Sequence, residues 1–249
     1  MRKAFEKKYH AMEETNWWFL ARRELILALL KNQKRNANIL DVGCSSGILI
    51  QELNTSGFTQ VKGIDISQSA VDLSKARGIK NVFKSDAQST GYKDKEFDII
   101  IASDILEHLN NEEKALNEWN RILKPEGLIL VFTPAFSFLW SSHDLANQHK
   151  KRYTRAGLES ILASSGFKIL RSSYWNFTLF LPAFITRTFQ RVLMLSDDQQ
   201  DQVYNLNKPT NYLLKFLLTI ENKLIISGLN FPLGISIFSI ARKSQINNN

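Results

Sequence analysis

The stretch Ile39-Leu40-Asp41-Val42-Gly43-Cys44-Ser45-Ser46-Gly47 constrains this chain more than any other. An apolar run suited to a buried strand runs into a turn with a glycine at each end. Gly63-Ile64-Asp65-Ile66-Ser67 follows closely and reads as a second strand ending on a carboxylate. Gly43 and Gly47 let backbone approach a ligand where a side chain would block it. Asp65, at a strand end, can accept hydrogen bonds from both hydroxyls of a ribose. A glycine turn alone is a weak signal. With an acid placed after it, the turn points to a nucleoside held by an α/β fold.

Hydrophobic periodicity supports that fold. Strands are expected at 38–42, 60–65, 81–84, 97–102 and 127–133, and helices at 47–55, 68–77 and 111–123. Ile99-Ile100-Ile101 and Leu128-Ile129-Leu130-Val131-Phe132 are near-continuous apolar runs, as in parallel strands covered on both faces. Lys124-Pro125-Glu126-Gly127 reads as a turn into the fifth strand, and Asp98 as a capping group. Upstream, residues 15–32 carry helical spacing with Thr15 as N-cap. Trp17-Trp18-Phe19 is read as packing this helix onto the sheet, a lid over the ligand being the sharper alternative. Downstream come a polar and aromatic loop at 134–153, a helix at 154–165 stopped by Gly166, a strand at Phe167–Tyr174 and a last strand at Ile235–Ala241. About sixty residues separate those two strands, far more than a usual connection. Helices are expected there near 178–194 and 209–227.

The chain has 249 residues and a formal net charge of +8. That balance suits nucleic acid, anionic lipid or a phosphorylated small molecule, but no long Lys/Arg tract is present. Cys44 is the only cysteine, so no intrachain disulfide forms. The first residues lack the apolar core of a signal peptide, so a cytoplasmic location is expected. Ser172–Thr186 and Leu224–Ala241 are uncharged over 15 and 18 residues. The first is too short to span a bilayer, and the second is interrupted by glycine, proline and asparagine. The segment between the last two strands is still notably apolar, with Trp175, Phe177, Phe180, Leu181, Phe184 and Phe189, and is edged by Arg187, Arg191, Lys208, Lys215 and Lys223. Peripheral contact with an anionic membrane, a self-packed helical subdomain and a homodimer face all remain open.

These motifs together resemble a class I S-adenosylmethionine-dependent methyltransferase over about residues 35–175 plus the last strand. Ile39–Gly47 is similar to the family's first motif, with Ser45 in place of the middle glycine. Gly63-Ile64-Asp65 resembles its ribose-binding strand end, and Ser85-Asp86-Ala87 the element whose carboxylate meets the adenine amino group. Phe97-Asp98-Ile99-Ile100, Leu106-Glu107-His108-Leu109 and Leu123-Lys124-Pro125-Glu126-Gly127-Leu128 resemble later elements in the same order. The resemblance implies a Rossmann-like, seven-stranded, mostly parallel sheet with helices on both faces, an antiparallel last strand and a helical insertion. It divides the chain into an N-terminal helical cap (1–34), a cofactor domain (35–174), the insertion (175–232) and a closing strand (233–243). It implies S-adenosylmethionine as cofactor, held by Asp41, Gly43, Cys44, Ser45, Gly47, Asp65, Ile66, Asp86, Ala87 and Ser103.

Methyl transfer from a sulfonium is an in-line displacement that depends mainly on alignment. A general base is needed when the acceptor is a hydroxyl or a protonated amine. His143 is the leading candidate, with Asp144 to orient it and His149 as the second choice. His108 is expected to cap or pack near the cofactor. No metal is assigned to His143, Asp144 and His149, because spacing alone shows nothing to orient them. The expected acceptor is a small or lipid-linked molecule (a sugar, polyprenyl or quinone-like compound), methylated on oxygen. Ala102-Ser103-Asp104-Ile105 stands where base-amino methyltransferases carry an Asn/Asp-Pro-Pro-aromatic segment, so no nucleic-acid partner is expected. A nicotinamide-dependent oxidoreductase is disfavoured, since Gly43-Cys44-Ser45-Ser46-Gly47-Ile48 lacks the three-glycine fingerprint. A cofactor-binding module without turnover is the non-enzymatic alternative.

Overall fold

Strand order places the site. A computed structural model of the chain describes residues 9–192 and 206–244. Its sheet has seven strands: β1 (Asn38–Val42), β2 (Gln60–Asp65), β3 (Val82–Lys84), β4 (Phe97–Ser103), β5 (Leu123–Pro134), β6 (Phe167–Trp175) and β7 (Ser236–Lys243). They lie in the order β3-β2-β1-β4-β5-β7-β6. β1 to β5 pair in parallel, and β7 runs antiparallel to both β5 and β6. The order reverses between β1 and β4, which opens a crevice beyond their carboxyl ends. Val42 of β1 and Ser103 of β4 end beside it.

The expected Rossmann-like sheet is therefore present. Its central strands are sealed on both faces: Ile99, Ile100, Ile101 and Ala102 are all buried, as are Ile129 to Phe132. Covering helices follow the strands: α2 (Ile48–Thr55), α3 (Gln68–Ala76), α4 (Glu112–Ile122) and α6 (Arg155–Ser164). Each junction has a local cause. Ser67, Asn111 and Thr154 accept backbone N–H bonds at the starts of α3, α4 and α6.

Several boundaries differ from expectation. Helix α1 (Trp17–Leu30) is capped by Asn16, whose side chain accepts from the Trp18 N–H; Thr15 is still engaged with Met12 in the preceding turn. The Lys124–Gly127 turn is absorbed into β5 as an irregularity, since Phe97 pairs with Leu123 but Ile99 pairs with Leu128. Asp98 is no helix cap: its carboxylate accepts from the Asn38 N–H at 2.8 Å and from Lys124 Nζ at 2.7 Å. The span 134–153 is not wholly loop. It contains a 3-10 turn at Ser137–Leu139 and a short helix, α5 (Ser142–Asn147), closed by a capping box between Ser141 and Asp144.

Helices α7 (Phe180–Val192) and α8 (Lys208–Ile226) fill the long connection. The last two residues of the expected 178–194 helix lie outside the described residues. α8 is tied to α1 as well as to the sheet. Asn222 accepts from Trp175 Nε1 and donates to the Ala21 carbonyl, both at 2.8 Å. Asn211 accepts from the Trp17 N–H at 2.8 Å and donates to the Thr15 carbonyl. Glu221 takes the N–H groups of Phe177 and Thr178. Cap and insertion thus form one layer over the far half of the sheet.

Asn222 is buried, so truncation leaves a tryptophan donor and a carbonyl without partners. Asn222→Ala should cost about 1–3 kcal/mol per orphaned group. Urea unfolding measures this, and an unchanged midpoint would show that α8 is not anchored through this residue.

Candidate active site

The glycine turn is tied to β2. The N–H groups of Gly43 and Cys44 both donate to the Ile64 carbonyl, at 2.8 and 3.0 Å. Gly43 has φ +72°, and a Cβ there would stand 1.9 Å from Ile105 Cδ1. Asp65 closes the arrangement: Oδ2 accepts from the Ser45 N–H at 2.9 Å, and Oδ1 from the Ser67 N–H at 2.8 Å. Each oxygen keeps acceptor capacity for a ligand hydroxyl. Burial raises the Asp65 pKa, and the two backbone bonds oppose that rise.

A cleft of about 830 Å³ lies above this turn. Gly43, Ser45, Asp65, Ile66, Asp86, Ala87 and Ser103, seven of the residues the sequence assigned to a cofactor, line it. Asp86 also holds its own turn, accepting from the Gln88 N–H at 2.8 Å. Asp41, Cys44 and Gly47 are not on the cleft wall. Asp41 is buried behind it, where burial and then the Asp65 charge push its carboxyl well up. The Cys44 side chain fills the space beside Gly63, and burial raises its thiol. Gly47 starts α2 with φ +78°, against Ile79 and Ser74. These three shape the turn from below.

A second cavity of about 350 Å³ adjoins the first. Tyr9, Asp104, His108 and Asn147 line both. Trp17, Trp18 and Phe19 form part of its wall, so the aromatic cluster serves the site as well as packing α1. His143 and His149 face it too.

The histidine pairing differs from expectation. Asp144 orients His149 and not His143: His149 Nδ1 stands 2.8 Å from Asp144 Oδ1. On α5 neighbouring residues point to different faces, so His143 cannot turn to Asp144. Gln148 takes a left-handed conformation at the helix end and returns the chain, bringing His149 back onto Asp144. His143 instead meets the Asn147 amide, 3.2 Å from its Nδ1. Asp144 is fully buried; burial alone would raise its pKa, but His149 and Arg152 outweigh that and hold it well below the usual carboxylate range. Arg152 grips both Asp144 oxygens, at 2.8 and 3.0 Å.

His108 lies on the boundary between the two cavities. Burial, then the nearby His149, push its pKa down to about 4. Glu107 is fully buried, and burial followed by the Asp104 charge drives its carboxyl well up. Arg22, Asp104, Tyr9 and His10 are further residues that the sequence did not single out. Arg22 Nη1 donates to Ser103 Oγ at 2.9 Å and to Asp104 Oδ2 at 2.6 Å. His10 Nδ1 lies 2.8 Å from Ser45 Oγ, and Ser46 Oγ donates to Glu13.

The geometry defines a glycine-floored cleft opening onto a smaller, aromatic-walled cavity. A family model described as a methyltransferase domain matches residues 17–172. The chain belongs to that family, whose class I members use S-adenosylmethionine. The cofactor fits what is present: a cleft floored by a glycine turn and lined by the carboxylates of Asp65 and Asp86. Among relatives, the ubiquinone biosynthesis O-methyltransferase of Bartonella tribocorum is 32% identical over 103 residues, 39% of this chain and 41% of that protein. The counterpart from Pelagibacter ubique is 33% identical over 103 residues, covering 40% of this chain and 42% of that one. This chain thus spans about two fifths of the length of these relatives. A methyltransferase structure from Archaeoglobus fulgidus aligns with TM-score 0.57 at 21% identity, covering 95% of this chain and 99% of that one. The Haemonchus contortus phosphoethanolamine N-methyltransferase 2, in complex with S-adenosyl-L-methionine, aligns at 0.57 and 19% identity over 89% and 52%.

Asp65→Ala should weaken S-adenosylmethionine binding about 10- to 100-fold, the net loss of one hydrogen bond to a charged group at about 1.5–3 kcal/mol. Calorimetry returning wild-type affinity would remove Asp65 from the ribose site.

Proposed function

We propose that the protein transfers the methyl group of S-adenosylmethionine to a hydroxyl of a small, quinone-like aromatic acceptor. The observation that carries this is the second cavity. At about 350 Å³ it suits one ring system, is walled by Trp17, Trp18 and Phe19, and opens to the cofactor cleft past His108 and Asn147. The relatives named for ubiquinone biosynthesis support oxygen as the acceptor atom.

The cofactor, when bound, supplies an electrophilic methyl on a sulfonium. The protein's own residues do the rest. Asp65 and Asp86 fix the nucleoside, Gly43 admits it closely, and the aromatic wall orients the acceptor ring. His143 stands on the cavity wall to receive the hydroxyl proton. His143→Ala should lower kcat by about 10²–10⁴-fold, the usual worth of a general base, with cofactor affinity kept. A rate equal to wild type with a catechol or phenol acceptor would discard that role.

The same reading accommodates an acceptor with an apolar tail at an anionic membrane. Leu181, Ile185 and Phe189 recur one turn apart along α7 and are exposed, as are Leu213, Phe216, Ile220 and Leu224 on α8. Lys208 and Lys223 on α8 are also exposed, and their charge would suit anionic lipid. Among the described residues, no helix is long and apolar enough to cross a membrane. Co-flotation with vesicles containing phosphatidylserine, lost in a Leu181→Ser, Ile185→Ser, Phe189→Ser variant, is the expected result. Failure of the wild-type protein to float would reject the membrane contact and leave the chemistry untouched.

A further inference from the structure

The second cavity is electrically uneven. Asp104 stands where it meets the cofactor cleft, while Arg152 and Arg187 lie on the wall that belongs to it alone. The two arginines are not equivalent. Arg152 is fully engaged: Nε and Nη2 donate to Asp144, and Nη1 donates to the Ala135 carbonyl. Arg187 has no such counter-charge. Among the described residues its one hydrogen bond runs from Nη1 to the Leu139 carbonyl, and no carboxylate pairs with it. Burial, then the Arg152 charge, push its pKa down to about 10, so the guanidinium stays charged at neutral pH. A carbonyl does not neutralise that charge, and the remaining N–H donors are left for a ligand.

Packing fixes the position of this cation. Phe180, Phe184 and Arg187 recur at helical spacing and share one face of α7. The two rings pack on Phe136 and Phe138, at centroid distances of 5.9 Å for Phe136–Phe180 and 5.8 Å for Phe138–Phe184. That seats α7 on the 3-10 turn at Ser137–Leu139 and sets Arg187 beside the Leu139 carbonyl. Asn176 lines the same cavity. It is 1% exposed, and its Oδ1 has no hydrogen-bond partner among the described residues. A buried amide oxygen in that state is the kind of group that a bound ligand's hydroxyl satisfies.

We infer that Arg187 is a specificity residue: it receives an oxyanion of the acceptor, a carboxylate or a phosphate, at the end remote from the methylated hydroxyl. On the O-methylation reading above, on which this assignment depends, the substrate class narrows to acidic phenols. The planar guanidinium fork matches two oxygens of either group. Asp65 and Asp86 on the cleft side repel the same anion. One orientation is therefore favoured, with the charge toward α7 and the hydroxyl toward the cofactor. Asn176 and Arg187 both follow residue 172, where the family match ends, so this preference belongs to the chain's own insertion.

The test assays the full chain with S-adenosylmethionine and three acceptors: catechol, 3,4-dihydroxybenzoate and 4-hydroxyphenyl phosphate. At least one anionic acceptor should exceed catechol in kcat/KM about tenfold or more, and the better of the two identifies carboxylate or phosphate as the group bound. Arg187→Met should cut that ratio at least tenfold, chiefly through KM. Arg187→Glu should reverse it in favour of the cationic 4-(2-aminoethyl)catechol, a change of preference that a merely structural role would not produce. S-adenosylmethionine affinity by calorimetry, kept at wild type, certifies the fold of each variant. A wild-type protein that prefers catechol, or variants that keep the wild-type ratio, overturn the assignment and leave O-methylation standing. No transfer to any hydroxyl acceptor sinks the O-methylation reading instead. The anion site is then judged by binding alone: benzoate or phenyl phosphate should quench tryptophan fluorescence saturably in wild type and not in Arg187→Met. Absence of that quenching overturns the site as well.

Discussion

The Arg22 guanidinium is the tie on which both cavities depend. It is almost completely buried, with its charged carbon 4.2 Å from the Trp18 ring centroid, 4.5 Å from Phe132 and 4.6 Å from Trp175. It binds Ser103 and Asp104 at the end of β4 and reaches Ser236 at the start of β7. One side chain of α1 therefore touches the switch point, the fifth and sixth strands and the closing strand. Burial lowers its pKa, and the Asp104 charge resists that change. A cation placed so deep is tolerated because rings and a carboxylate replace water around it. Without it, Asp104 would stand as an unpaired charge between the two cavities.

Charge is distributed to match this chemistry. The chain carries a net +8, yet the cleft presents Asp65, Asp86 and Asp104, with Asp41 behind and Glu107 alongside. Acidic side chains gather at the cleft of a chain whose overall charge is basic. Bulk charge thus says little about the ligand, while local charge says much. The Asp144 network works in the opposite direction, its carboxylate spent on Arg152, His149 and the Ser141 N–H. It contributes no free charge to the cavity but fixes the imidazole that faces it.

The cofactor half of the site was legible because its residues lie within short, ordered segments. Gly43, Ser45, Asp65 and Asp86 each stand at or just after a strand end whose period announces it, so strand ends and cleft lining could be read together. Asp41, Cys44 and Gly47 belong to the same motif but support it from beneath. A motif records a turn's shape without separating the atoms that face the ligand from those that brace it. The acceptor half was hardly legible. Its wall joins Trp17–Phe19, Glu107–His108, His143–Arg152, Asn176, Arg187 and Ser236, segments far apart in sequence whose meeting depends on tertiary packing. The Asp144–His149 pairing turned on a single left-handed residue, Gln148, which no periodicity encodes.

Ser45 shows how a departure from a motif is put to use. It takes the position of a glycine and the left-handed backbone that goes with it, at φ +49°. That conformation costs a non-glycine residue about 1–2 kcal/mol. The offset is visible in two bonds: its N–H reaches Asp65 Oδ2 at 2.9 Å, and its Oγ lies 2.8 Å from His10 Nδ1. Ser46 adds a bond to Glu13, whose carbonyl also receives Arg23 Nη1 at 2.7 Å. A glycine at position 45 would leave the N-terminal segment only Ser46 to hold. Two serines give it two handholds, and the helical turn they secure carries Tyr9 onto the boundary of both cavities. The one residue that looks like a loss from the glycine motif, Ser45, therefore helps connect the turn to the second cavity.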